Sequence, residues 1–98
     1  MPRTHTKKTL FIAPSENAFW VHHGPIVHDL QELKDALARS ITDEQFKHHV
    51  TGERNDFAIW IDTILHDKKC ANAIKRVKTK KSALSAISKC LTSDYKRR

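Results

Sequence analysis

Seven histidines, two cysteines and a lysine-rich C-terminal third are the parts of this 98-residue chain that could do chemistry. The histidines and cysteines raise metal binding. The histidines with serines and aspartates raise nucleophilic or acid–base catalysis. The lysines raise capture of a polyanion.

Zinc asks for ligands paired at short, fixed spacing. Cys70 and Cys90 are too far apart to make such a pair. His22-His23 and His48-His49 are adjacent, and adjacent side chains diverge on a strand or a helix. A metal site would need assembly in three dimensions, for instance from His22, His28 and His49; the simpler reading is solvated or capping histidines and no metal. His49, three residues after Phe46 and beside Val50, reads as a packed ring bonded to a backbone group or a carboxylate, with Asp56 the candidate partner. The cysteines sit among apolar residues at helical spacing, which suits reduced thiols used as small core residues better than a disulfide.

Catalysis finds little support. The chain has no G-x-S-x-G elbow, and neither cysteine has a cationic activating context strong enough to single it out. Asp56 and Asp62 flank Trp60, but Asp56 reads as a charge at a helix start, where the macrodipole favours it. With two glycines there is no phosphate-cradling loop. The expectation is a protein that is not an enzyme, with no catalytic residue and no cofactor.

The lysines are the feature with content. Net charge is +7, and it is unevenly spread. Residues 1–8 carry Arg3, Lys7 and Lys8 and no acid; residues 9–66 carry four basic against nine acidic residues; residues 67–98 carry eleven basic residues against Asp67 and Asp94. Such asymmetry points to a polyanion. Lys68, Lys69, Lys75, Arg76, Lys78, Lys80, Lys81 and Lys89 fall within two short predicted helices and their junction, and Lys96, Arg97 and Arg98 follow. The free amides at the start of the second helix could receive a phosphate with lysines around it. Lysine outnumbers arginine, so contacts to the phosphate backbone are expected rather than base reading. The bland alternative is a solvated face that keeps a small protein in solution.

These residues need elements to position them. The chain is long enough for one domain, and 39% hydrophobic with 30% charged residues is a globular composition. No apolar run could span a membrane, and the basic N-terminus lacks the apolar stretch of a secretory signal, so the expected location is the cytoplasm, at the nucleoid. Residues 1–9 read as a flexible basic arm, 10–92 as one globular domain and 93–98 as a frayed basic tail. Phe19 to Val27, around His22-His-Gly-Pro25, reads as a β-hairpin, with 10–13 a possible third strand. Phe19 and Trp20 must face opposite sides, leaving one aromatic outward for a base or a protein contact.

Asp29 with Glu32, and Thr42 with Gln45, have the form of capping boxes and open helices near 29–39 and 43–50. Gly52 is expected to supply left-handed geometry after the second. Asn55 caps a third helix with core residues Phe57, Trp60, Ile61 and Ile64. Cys70, Ala73, Ile74 and Val77 mark a fourth. Thr79 caps a fifth, with Leu84, Ile87 and Leu91 as its stripe, backed by Ala83 and Cys90. The fold class is thus mostly α (α+β): an N-terminal hairpin and a compact bundle of four or five short helices.

Phe46-x-x-His49-Val50, Asn55-Asp-Phe-Ala58 and Trp60-Ile61, with Leu30-Gln-Glu-Leu33 before them, resemble an uncharacterised small domain family of bacteria and archaea over about residues 19–91. The resemblance implies a shared fold and transfers no functional residue. The functional expectation therefore rests on charge: non-specific DNA binding through phosphate contacts, in a nucleoid-associated role, with RNA as the variant. The alternative is a protein-interaction or self-assembly module that pairs the acidic middle with the basic end.

Overall fold

The hairpin and the helix caps set the frame. A computed structural model describes residues 9–95. It places a 3₁₀ turn at Ser15–Asn17, then strands β1 (Phe19–Trp20) and β2 (Ile26–Val27), and helices α1 (Leu30–Arg39), α2 (Asp43–His49), α3 (Asp56–Thr63), α4 (Lys68–Ile74) and α5 (Lys80–Asp94). The strands pair antiparallel, Phe19 with Val27 and Trp20 with Ile26. Phe19 and Val27 point into the core, while Trp20 is 67% and Ile26 41% exposed. Residues 10–13 add no strand. Ala13 N–H reaches His28 O (2.8 Å), and Pro14, which has no N–H to extend a ladder, leads at once into the 3₁₀ turn.

In the turn between the strands the left-handed residue is His23 (φ 54°) rather than its neighbour Gly24. Gly24 is required for space: a Cβ there would sit 2.8 Å from Val21 Cγ1 and 3.0 Å from Gln45 Nε2. Gly52 is not left-handed either. α2 instead runs into extended Val50, which bridges to Asn55, while the Thr51 hydroxyl accepts from Arg54 N–H (3.0 Å) to close the turn.

Four helix starts follow the sequence. Thr42 and Gln45 form both arms of a capping box. Asp29 accepts from Glu32 N–H (2.7 Å), but the Glu32 carboxylate reaches one residue further back, to His28 N–H (2.7 Å). Asn55 accepts from Ala58 N–H (3.0 Å), and Thr79 from Ser82 N–H (3.1 Å). Asp67, buried, caps α4 through Cys70 N–H (2.9 Å) and also accepts from the Tyr95 hydroxyl.

The core is an aromatic ladder with an aliphatic surround. Phe57 stacks between Phe19 (4.7 Å) and Phe46 (5.6 Å), and Trp60 meets Phe19 edge-on (5.7 Å). Trp60 Nε1 donates to Asn17 O (2.8 Å), tying the N-terminal turn to α3. Leu33, Leu37, Ile61, Ile74 and Ile87 are fully buried around it, each contributing about 1.5–3 kcal/mol by removal from water. The α3 stripe is largely as expected, while those of α4 and α5 are rotated. α3 buries Ala58 with Phe57, Trp60 and Ile61, and Leu65 takes the place of Ile64. On α4, Ala71 is inside and Ala73 outside; the helix ends at Ile74, so half-buried Val77 belongs to the loop. On α5 the buried line is Ala83, Ile87, Cys90 and Asp94, with Leu84 and Leu91 at its edges. α4 packs against both α3 and α5, and α1 packs on α5, so α5 is gripped from two sides and its face turns accordingly. Its last turn is therefore no tail: Asp94 and Tyr95 are buried, and the folded part runs past the expected boundary at 92.

Candidate nucleic-acid interface

The junction between α4 and α5 is built by three local features. Ile74 O accepts from Val77 N–H (3.1 Å), turning the chain out of α4. Val77 packs against the core and anchors the loop. Thr79 then starts α5, its hydroxyl also bonded to Ser82 Oγ (2.9 Å). Lys75, Arg76 and Lys78 are held on the outside of this corner.

The structure divides the expected basic residues by their engagements. Lys68 pairs with Asp62 (3.6 Å) and Lys69 with buried Asp94 (3.3 Å). Lys80 Nζ donates to Ile41 O (2.8 Å), stitching α5 to the segment after α1. Lys75, Arg76, Lys78, Lys81 and Lys89 make no ion pair among the described residues. Arg3, Lys7, Lys8, Lys96, Arg97 and Arg98 lie outside the described residues, as do residues 1–8 of the arm expected over 1–9.

Two adjoining grooves collect most of these charges. The first, about 590 Å³, lies between α3 and α4 and is closed by the 51–55 turn; Arg54, Lys75, Arg76 and Lys78 line it, against Glu53 and Asp62. The second, about 530 Å³, carries Lys47, Lys78, Lys80 and Lys81 against Asp43. Lys78 lines both. Lys69 and Lys89 line a third groove of about 480 Å³ that shares no residue with the other two. The expected face is thus narrowed to residues 75–81, joined by Arg54 and Lys47. Those two were invisible as site residues in the sequence because they come from the acidic middle, on other elements.

The histidines form a second cluster. His49 Nδ1 lies 3.0 Å from Asp56 Oδ2, as the spacing suggested, and Asp56 is also held by Arg54 Nε (2.8 Å). His49 Nε2 accepts from His22 N–H (3.0 Å). That bond requires Nε2 to be unprotonated, so Nδ1 carries the proton towards Asp56. Both ring nitrogens are occupied, which leaves this dyad no free nitrogen for proton transfer. The two adjacent pairs meet across the fold, His22 stacking on His48 at 3.8 Å and 6°, although each pair alone reads as divergent. Partial desolvation, then the neighbours His23, His48 and His49, hold the His22 imidazole below its usual pKa. The set His22, His28 and His49 is not brought together: His28 bonds Glu32 (2.9 Å). Among the described residues no group of three or more His, Cys, Asp or Glu side chains is placed to hold a metal ion.

Cys70 and Cys90 are free and buried. Hydrogen bonding between the two thiols, then burial, pushes the Cys70 thiol up, away from the reactive thiolate. No helix among the described residues is long and apolar enough to cross a membrane. No family model, curated protein or solved structure matches the chain, and nothing in those comparisons bears on the resemblance carried by Phe46 to Ile61.

Proposed function

We propose that this protein binds nucleic acid without sequence preference, DNA before RNA, by laying the phosphate backbone along the two grooves that meet at Lys78, in a cytoplasmic, nucleoid-associated role. The observation that carries the reading is the set Lys75, Arg76, Lys78 and Lys81, four cations on one corner of the fold without an ion pair among the described residues. Each phosphate they neutralise releases counterions and so makes affinity fall with salt. Surface cations already paired, such as Lys68 and Lys69, have less to offer a phosphate.

Fluorescence anisotropy with labelled duplex DNA across a salt series tests it. Replacing Lys75, Arg76, Lys78 and Lys81 by Gln should weaken binding to every sequence and reduce the slope of log affinity against log salt by about 3–4, on the rule of roughly 0.9 per phosphate. Replacing Lys68 and Lys69 should change the slope by less. An unaltered slope in the fourfold variant would remove the proposed site. A second reading, self-association, draws on the outward apolar pair Trp20 and Ile26. Concentration-dependent sedimentation without nucleic acid, abolished by Trp20→Ser, would favour it.

A further inference from the structure

The groove between α3 and α4 holds more than charge. Its lining divides by what each side chain is already doing. Asn55 is spent, accepting from Ala58 N–H and donating to Ile74 O; Thr51 closes its own turn; Arg54 is held by Asp56 and Asp62 lies against Lys68. What remains uncommitted among the described residues is one exposed amide, Asn72, the cations Lys75, Arg76 and Lys78, and the Glu53 carboxylate on the 51–55 turn. Between them lies an apolar floor of Ala58, Ala71 and Ile59, and Ile59 is 50% exposed although Ala58 and Trp60 on either side of it are buried. Three segments supply the lining: Ala58, Ile59 and Asp62 come from α3, Ala71 and Asn72 from α4, and Lys75, Arg76 and Lys78 from the turn that leaves α4.

An apolar surface, an amide at its edge and cations at one end match the three parts of a nucleotide. The base supplies a flat face to the aliphatic floor. Its edge supplies the amide with donors and acceptors, which every base carries. The phosphate meets the lysines. A duplex keeps its bases stacked and cannot offer that face; a single strand can. We infer that the α3–α4 groove takes one unstacked nucleotide of a single-stranded nucleic acid, with its base on Ile59, its edge at Asn72 and its phosphate at Lys75, Arg76 and Lys78. The inference rests on the phosphate-binding reading above and adds the class of ligand to it.

The full chain is titrated with fluorescein-labelled oligo(dA) and with a duplex of the same length, for wild type, Ile59→Ser and Asn72→Ala, each variant checked by thermal melting. Both positions are exposed, so the variants should melt close to wild type. Wild type should bind the single strand about tenfold more tightly than the duplex, a difference within reach of one well-seated base. Ile59→Ser, which removes the apolar face without adding charge, should erase that preference and Asn72→Ala should reduce it. Equal affinity for the two ligands, or a preference untouched by Ile59→Ser, would overturn the nucleotide site while leaving phosphate binding in place. Absence of binding to either ligand at low salt would overturn both.

Discussion

Asn55 joins two helices through the two ends of one amide, and replacing it should show this. Its Oδ1 accepts from Ala58 N–H (3.0 Å) to cap α3, and its Nδ2 donates to Ile74 O (2.8 Å) at the end of α4. The residue is buried. Asn55→Ala removes the cap, worth about 1 kcal/mol. It also removes the bond to Ile74, where Val77 N–H still serves the carbonyl, so that loss is nearer about 1 kcal/mol than a full desolvation penalty. The sum, about 2 kcal/mol, corresponds to roughly 8–16 °C in Tm for a domain of this size. Asn55→Asp separates the two roles. A carboxylate keeps the cap and suits the helix start, but it places an oxygen against the Ile74 carbonyl in a buried site. If both ends matter, Asp is at least as damaging as Ala. Urea unfolding followed by circular dichroism gives the order of the three proteins. An Asp variant as stable as wild type would refute the two-ended role.

Other perturbations follow from the same packing and hydrogen bonding. Gly24→Ala should cost about 1–3 kcal/mol, because its Cβ would press on Val21 and Gln45, whereas Gly52→Ala, with nothing within 4 Å, should be neutral or stabilising; equal melting temperatures for the two would contradict the packing explanation. The depressed pKa of His22 means that the unfolded chain takes up protons there first, so stability is present above about pH 6.5 and falls on acidification; melting curves from about pH 7.5 to 5 should be shallower in pH for His22→Gln, and identical slopes would count against it. Tyr95→Phe should destabilise by about 1.5–3 kcal/mol in chemical denaturation, since its hydroxyl serves the buried Asp67 carboxylate; a neutral result would mean that the C-terminal turn is not anchored there. Burial first, then Asp67, keeps the Tyr95 phenol protonated well above the usual range, so wild-type stability should decline as pH rises past about 10, and less so in Tyr95→Phe.

The local features were legible in the chain itself. Capping depends on a residue and its neighbours within one turn, so Asp29, Thr42, Asn55 and Thr79 announce their helices, and the hairpin is announced by its turn residues. The His49–Asp56 contact was also within reach, because only a short turn separates the two. Charge was legible as a sum over the last third, but a sum says nothing about engagement. Only the tertiary structure decided that Lys68, Lys69 and Lys80 are committed while Lys75, Arg76, Lys78 and Lys81 carry no ion pair among the described residues, and that Arg54 and Lys47 line the same grooves from elsewhere in the chain. It also decided the rotation of α5, because a weakly amphipathic helix turns to suit what packs on it: α1 and α4 select Ala83, Ile87 and Cys90 over the larger Leu84 and Leu91. The burial of Asp94 and Tyr95 was hidden for the same reason. Asp67 lies 28 residues from Tyr95 along the chain, and no local pattern records a partner at that distance.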